Sequence, residues 1–124
     1  AVSAGDWIVT MYVGTPTNKP DWGSIQSGDQ WTACLGRRAI GDGATIRKWR
    51  SGDRIQPLGM TGQKKLQDLF TDLHVPRAWR DSVPLLEGEM GIGWVVGHRI
   101  ANWAKVDQEA DDPVLWIRFS QNQD

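Results

Sequence analysis

The chain has 124 residues, a formal net charge of −1, one cysteine and two histidines. This length supplies one hydrophobic core, so we predict a single domain over residues 1–124. One cysteine excludes an internal disulfide, and these three side chains do not form a metal set of familiar spacing. Neither a signal peptide nor an apolar run of ~20 residues is present, so we expect a soluble cytoplasmic domain with no membrane partner. Because the first residue is not methionine, we expect a piece of a longer protein.

The basic residues are distributed unevenly. Residues 37–80 contain ten basic and four acidic residues, a net charge of +6, whereas the rest of the chain carries −7. A charged segment often forms only a solvated face. The local excess of positive charge nevertheless favours a polyanionic partner.

The first half of the chain predicts strands separated by turns. Residues 7–13 place Trp7, Val9, Met11 and Val13 on one side and predict a strand. Residues 14–30 are rich in turn-forming residues and predict a long loop. Short strands follow at 31–35 and 44–49. In the second of these, Arg47 projects opposite Ile46, so we expect its side chain to face solvent.

Helical spacing begins after Met60, and Thr61 or Gly62 is the predicted helix cap. The apolar stripe that should face the core consists of Leu66, Leu69, Phe70 and Leu73.

This helix places Lys64 and Lys65 in its first turn, the wrong sign for the helix dipole. A helix selected only for stability would carry acidic residues there. Free N–H groups, two ammonium groups and a Gly-Met-Thr-Gly approach together predict an anion site, with phosphate as the expected anion.

The second half predicts further short elements. Val75-Pro76 begins a turn or short helix that places Arg77 and Arg80 on one face. Residues 83–86 and 90–96 predict a hairpin, and strands at 99–106 and 114–119 are joined by an acidic turn at 107–113. Many short strands and one clear helix predict an α+β domain, or a helix-decorated β-sandwich of antiparallel sheets.

Eight tryptophans leave a second function open. Four lie inside strand patterns and are expected in the core: Trp7, Trp31, Trp94 and Trp116. Four lie at element ends or in loops, where an aromatic ring could stack on a sugar or a base: Trp22, Trp49, Trp79 and Trp103. A carbohydrate-binding β-sandwich, or a generic RNA-binding module, therefore remains an alternative.

The sequence contains no complete catalytic motif. Gly62 is followed by Gln63 and two lysines, whereas a Walker loop ends in Gly-Lys-Ser/Thr, so the NTPase interpretation fails. His74 and His98 lack a serine or cysteine partner in any recognisable nucleophile setting. We therefore expect no catalytic residues and no enzyme activity in this chain by itself.

Three sequence blocks carry a family resemblance. They are Arg47-x-Trp-Arg-Ser-Gly-Asp-Arg-Ile-Gln-Pro-Leu-Gly-Met-x-Gly-x-Lys-Lys-Leu-x-Asp-Leu-Phe, then Val75-Pro76-Arg77-x-Trp79-Arg80 with Val83-Pro84-Leu85-Leu86, and Gly93-Trp94-Val95-Val96-Gly97-His98-Arg99. In order and spacing these blocks closely resemble the C-terminal domain of tRNA(Ile)-lysidine synthetase. The resemblance runs from about Trp31 to about Arg99.

The resemblance implies a β-sandwich with one or two short helices, shared with part of the phenylalanyl-tRNA synthetase β subunit. It also implies a module that docks isoleucine tRNA with a CAU anticodon, mainly through the acceptor stem. A separate N-terminal catalytic domain would then attach lysine to the wobble cytidine, using ATP and Mg. That domain carries a Ser-Gly-Gly-x-Asp-Ser loop, which this chain lacks, so only the tRNA-binding role is carried over and no cofactor is expected here.

The expected contacts are mostly with phosphates, because a stem of A-form RNA is recognised by backbone, shape and 2′-hydroxyl groups. The phosphate-contacting set is predicted to include Arg47, Arg50, Arg54, Lys64, Lys65, Arg77 and Arg80, and Gly52, Gly59 and Gly62 are predicted to let the backbone approach the stem. Asp53 lies between Arg50 and Arg54, so an ordinary surface ion pair stays open for those two arginines.

Overall fold

A computed structural model describes residues 2–15, 30–106 and 112–121 and divides the chain into two compact units. The first unit comprises residues 1–38 and 106–124, and the second comprises residues 39–105. The prediction of a single domain stays a prediction. Among the described residues, no helix combines the length and apolar character that a membrane crossing requires.

The first unit contains a four-stranded antiparallel sheet. Its strands are β1 (Val2–Ala4), β2 (Trp7–Gly14), β3 (Thr32–Gly36) and β10 (Val114–Gln121), in the order β1-β2-β10-β3. The predicted strands at 7–13, 31–35 and 114–119 are thus confirmed to within two residues.

The regular register places a set of buried side chains on one face of this sheet. Central strand β10 pairs with β2 along eight residues, and Ile117 lies between Met11 and Ala33. Buried side chains on this face belong to all three neighbouring strands: Val9, Ala33, Leu35, Leu115, Ile117 and Phe119. The Trp7 ring stacks on Trp31 at 5.1 Å between centroids and meets Phe119 edge-on, which adds aromatic packing to area burial.

The second unit contains shorter elements. A four-stranded antiparallel sheet, in the order β4-β7-β8-β9, is accompanied by a two-stranded ribbon of β5 and β6. The elements, in chain order, are α1 (Arg37–Ile40, which begins in the first unit), β4 (Thr45–Arg47), β5 (Arg54–Ile55), β6 (Lys64–Lys65), α2 (Leu66–Asp72), a 3-10 helix (Arg77–Ser82), β7 (Leu85–Gly88), β8 (Gly91–Val95), β9 (Arg99–Ile100) and a 3-10 helix (Asn102–Ala104).

The apolar stripe of α2 forms the centre of this unit's core. Leu66 and Phe70 are fully buried and Leu69 is nearly so, as the helical spacing predicts. The helix ends in a Schellman motif, in which Val75 N–H bonds to the Phe70 carbonyl and His74 takes a left-handed φ of 57°.

Two predicted elements differ from the structure. Residues 99–106 do not form one strand, because after β9 the Asn102 N–H bonds to the Gln56 carbonyl and a 3-10 turn follows. The predicted cap at Thr61 or Gly62 is also wrong: α2 begins at Leu66, with Lys65 at the N-cap position and no side-chain capping bond. Most of the predicted loop at 14–30, and residues 107–111 of the acidic turn, lie outside the described residues.

Candidate nucleic-acid interface

The β5–β6 ribbon places two cations directly opposite each other. Arg54 and Lys65 are cross-strand partners, and both are exposed. Like charges directly opposite destabilise an antiparallel pair. No carboxylate among the described residues forms an ion pair with either one. This arrangement lowers stability as it stands and would be relieved by an anion bound across the two side chains.

A tight turn presents a third cation just before β5 begins. Asp53 N–H bonds to the Arg50 carbonyl at 3.1 Å, and Gly52 takes a φ of 93° at the third position of the turn. Only glycine adopts that backbone freely. The Arg50 side chain is exposed, and a Cβ placed on Gly52 would meet no atom within 4 Å. The turn is therefore open to an approaching ligand backbone.

Arg47 does not face solvent, which corrects the sequence prediction. Its guanidinium forms a bidentate pair with Asp53, at 2.9 and 3.0 Å, and bonds to Glu87 at 2.9 Å. Its side chain is only 14% exposed. The Arg47 side chain is held by Asp53, six residues later, and by Glu87 of β7, which a strand pattern alone does not show.

The ion pair changes the titration of its members. Hydrogen bonds to Asp53 and Glu87 raise the pKa of Arg47 above its ordinary value. Burial raises the pKa of the Asp53 carboxyl, but hydrogen bonds from the Arg47 side chain and the Arg50 amide lower it by more, so the net pKa lies below 3.8. Both groups are therefore charged at neutral pH.

The two lysines precede α2 instead of occupying its first turn, because their backbone pairs with β5. The first turn carries Asp68, the sign that suits the helix dipole. Lys64 forms an ion pair with Asp72 of the last turn, whereas Lys65 is exposed. The dipole argument is thus wrong, and the cross-strand repulsion at Arg54 replaces it as the sign of an anion site.

Arg77 and Arg80 do not share a surface. Arg77 is exposed, but Arg80 is only 7% exposed. The Arg80 guanidinium donates to the Val75 carbonyl at 3.1 Å and to Thr71 at 3.3 Å, and it lies 5.7 Å from the Phe70 ring centroid. The prediction that both face one side is wrong because the 3-10 helix packs its Arg80 side against α2.

The other two predicted glycines border an open groove. Gly59 takes a φ of 82° in a turn closed by Met60 N–H and the Pro57 carbonyl at 3.0 Å. Neither Gly59 nor Gly62 would place a Cβ within 4 Å of another atom. Residues 59–64 line a groove of ≈ 490 Å³.

The tryptophans divide as follows. Trp94 and Trp116 are buried, as predicted for the core. Trp49, which the sequence left undecided, is half-buried and packs edge-on against Phe70 at 5.7 Å. Trp79 is 67% exposed and Trp103 is half-buried. Trp22 lies outside the described residues.

Two described titratable groups outside this cluster, Cys34 and His98, have shifted pKa values. Burial raises the pKa of the Cys34 thiol to about 11, so it is protonated at neutral pH. Burial and the neighbouring Arg99 charge lower the pKa of His98. Within the described ranges, no group of three or more His, Cys, Asp or Glu residues is arranged to hold a metal ion.

Residues 44–116 match the family model described as the TilS substrate C-terminal domain. This segment contains the cationic ribbon, the Arg50 turn and the Arg47–Asp53 pair. The chain belongs to this family. The resemblance carried by the three sequence blocks is thereby confirmed.

Relatives of this TilS C-terminal domain are named tRNA(Ile)-lysidine synthase. The Geobacter sulfurreducens protein is 38% identical over 96 residues, which are 77% of this chain and 20% of that protein. The Dehalococcoides mccartyi protein is 44% identical over 87 residues, 70% of this chain and 18% of that protein. The chain therefore spans about a fifth of the curated relatives that it matches.

A solved structure titled "Crystal structure of TILS C-terminal domain" has the same fold. Its TM-score is 0.73 at 20% sequence identity, over 96% of this chain and 87% of that chain. The predicted fold class, antiparallel sheets with a few short helices, is confirmed.

Proposed function

We propose that this TilS C-terminal domain binds tRNA for a tRNA(Ile)-lysidine synthase, docking isoleucine tRNA with a CAU anticodon mainly through the acceptor stem. A separate N-terminal catalytic domain then attaches lysine to the wobble cytidine with ATP and Mg. The names of the relatives support the substrate class. The chain matches only about a fifth of each relative. This is consistent with tRNA docking and catalysis being carried out by separate domains.

The observation that carries this proposal is the exposed Arg54–Lys65 pair, with Arg50 presented on the adjacent turn. Three cations without an ion-pair partner among the described carboxylates suit a row of phosphates. A stem of A-form RNA is recognised largely through its backbone, so arginine and lysine suffice without a base-reading set. Arg77 is a further exposed candidate. Arg47, Lys64 and Arg80 already bond to other groups of the protein, Lys64 in a partly exposed pair with Asp72.

The test is a titration of the chain with this tRNA at several salt concentrations. We expect the double variant Arg54→Gln, Lys65→Gln to bind more weakly. Its slope of log affinity against log salt should fall in magnitude by roughly 0.7–0.9 for each phosphate that the variant no longer neutralises. A matched control, Arg38→Gln with Lys105→Gln, removes one exposed Arg and one exposed Lys elsewhere. Equal slopes for the two double variants would overturn the assignment of the surface.

A sugar-binding function is supported by one observation, the 67% exposure of Trp79. Stacking of a neutral sugar on tryptophan is insensitive to salt, whereas release of counterions from RNA is not. Oligosaccharides are therefore titrated under the same conditions. Saturable, salt-insensitive oligosaccharide binding without tRNA affinity would favour that function, and equal affinity for an unrelated tRNA would indicate a generic RNA-binding module.

We also propose that the chain is catalytically silent by itself. Incubated with ATP, Mg, lysine and the tRNA, the purified chain should yield no lysidine. Mass spectrometry of the digested tRNA measures the product. Lysidine formed by the pure chain would contradict the proposal that it is catalytically silent.

A further inference from the structure

Asp53 is the point at which several parts of the cationic surface are tied together. One carboxylate oxygen accepts the Arg50 N–H at 2.7 Å, while both oxygens accept the Arg47 guanidinium. The backbone of Asp53 donates to the Arg50 carbonyl and accepts the N–H of Leu66, at 3.1 and 2.9 Å. A single residue therefore closes the Arg50 turn, leads into β5 and connects it to the start of α2.

Arg47 holds this carboxylate in place from inside the unit. Its side chain and that of Asp53 are 14% and 15% exposed. The Arg47 Nη2 group that bonds Asp53 also donates to Glu87 of β7. A bidentate Arg–carboxylate pair fixes orientation as well as distance. Because Arg47 lies at the end of β4, which pairs with β7, the turn is attached to the four-stranded sheet through side chains.

This attachment is costly to build. The Arg47 Nε is buried and has no hydrogen-bond partner, and a buried donor left unpaired lowers stability. The carboxylate also places a negative charge beside Arg50 and Arg54, which would weaken attraction of a polyanion if charge alone mattered. The position that Asp53 gives to the Arg50 turn therefore explains this cluster better than the attraction of its net charge to a polyanion does.

We infer that Asp53, clamped by Arg47 and Glu87, is a positioning residue that fixes the Arg50 turn so that the Arg50 guanidinium meets a phosphate of the bound RNA. This inference rests on the proposed function for the identity of the ligand. Asp53 touches no RNA in this arrangement and acts through Arg50.

The deciding variant is Asp53→Asn, because charge and geometry predict opposite outcomes. Asn keeps the size of the side chain but presents an N–H group to the donors of Arg47 and Arg50, so at least one hydrogen bond is broken. Charge alone predicts tighter tRNA binding after removal of a carboxylate. Positioning predicts binding that is about 5–10-fold weaker. The control Asp68→Asn makes the same charge change at an exposed position of α2 and should bind as tightly as wild type or tighter.

A double-mutant cycle with Arg50→Ala shows whether Asp53 acts through Arg50. The backbone bonds of the turn survive Arg50→Ala, since they involve only the main chain of residue 50. In that background we expect Asp53→Asn to change tRNA affinity by less than about twofold. An undiminished loss of affinity would mean that Asp53 acts on another part of the surface, and tighter binding by the single variant would also overturn the inference.

Nuclear magnetic resonance provides a readout that does not involve tRNA. We expect the amide order parameters of Ser51 and Gly52 to fall from about 0.85 in wild type to below about 0.6 in Asp53→Asn. Arg47→Lys keeps the charge but loses the bidentate geometry. It should lower the same two order parameters and should also bind tRNA more weakly than wild type. If the amides of Ser51 and Gly52 stay rigid in both variants, the positioning role of Asp53 is overturned, whatever the tRNA affinity of the variants. If instead the amides loosen but Arg50→Ala binds tRNA like wild type, the proposed RNA surface fails and the positioning of the turn stands.

Discussion

The two units of the chain are stabilised in different ways. In the first unit, β2 and β10 pair along eight residues in unbroken register, and the rings of Trp7, Trp31 and Phe119 pack against one another. In the second, the longest strand has five residues, and side chains such as Arg47, Asp53 and Arg80 connect elements that backbone ladders do not. Charge differs as well: the first unit carries four basic and eight acidic residues, and the second ten basic and seven acidic.

This difference shows why the second unit is the candidate for binding. A continuous sheet satisfies its backbone groups and specifies its own register. The second unit, built from short strands, uses charged side chains internally at Arg47 and Arg80. The cations left on its surface, among them Arg50, Arg54 and Lys65, are the ones available to a ligand. Variants that separate internal from external cations test this division directly.

The largest effect is expected from the core of the second unit. Phe70→Ala should lower the free energy of unfolding by about 3–5 kcal/mol, because the ring is fully buried and contacts both Trp49 and Arg80. Urea denaturation measures the change. Leu58→Ala, at a side chain that is 49% exposed, is the matched control and should shift stability by less than about 0.5 kcal/mol. A midpoint unchanged by Phe70→Ala would contradict the packing described for α2.

A smaller effect is expected at Arg80, the internal cation of the 3-10 helix. Arg80→Ala removes two hydrogen bonds and leaves a buried carbonyl at Val75 without its side-chain donor, so we expect a loss of about 1–3 kcal/mol. Arg77→Ala, three residues earlier on the same element, should leave stability unchanged and weaken tRNA binding. Thermal melts and tRNA titrations measure both effects. A loss of stability with Arg77→Ala and a loss of tRNA binding alone with Arg80→Ala would contradict the assignment of Arg80 as internal and Arg77 as external.

Acid should weaken the second unit through Asp53. Its pKa in the folded state lies below the ordinary 3.8, so its contribution to stability is present above that value and is lost as the pH falls through the folded pKa. Wild type should therefore lose more unfolding free energy between about pH 5 and pH 2.5 than Asp53→Asn does. Urea titrations at the two pH values make the comparison. Equal losses in both proteins would mean that the Arg47–Asp53 pair does not stabilise the fold.

The smallest effect on stability separates the two adjacent lysines. Lys65→Gln removes repulsion with Arg54 and should raise stability by roughly 0.2–1 kcal/mol while weakening tRNA binding. Lys64→Gln removes a partly exposed pair with Asp72 and should lower stability by no more than about 1 kcal/mol, with little change in the salt slope. Differential scanning calorimetry and the tRNA titration distinguish them. Equal changes in stability and in salt slope for the two variants would contradict the assignment of different partners to Lys64 and Lys65.

Sequence patterns within short segments were sufficient to predict most of the strands and the main helix. Alternation predicted β2, and the strands of β10 and of the β7–β8 hairpin were placed to within two residues. Helical spacing predicted the buried residues Leu66, Leu69 and Phe70, whereas Leu73 of the same stripe is half-buried at the C-cap. These succeed because side-chain periodicity reports which face of an element meets the core. The start of α2 was misplaced because helical spacing does not exclude backbone pairing of Lys64 and Lys65 with a distant strand.

The sequence by itself determined the family, the order of the strands along the chain and the segment that holds the excess of positive charge. Tertiary structure decided which cations are free to bind. Arg47 and Arg80 lie in the same basic segment as Arg50 and Arg54, yet the first two are enclosed by Asp53, Glu87 and α2. The physical reason is that a charge acquires a partner through contacts between residues far apart in sequence, Arg47 and Glu87 being forty positions apart, and local periodicity carries no information about such contacts.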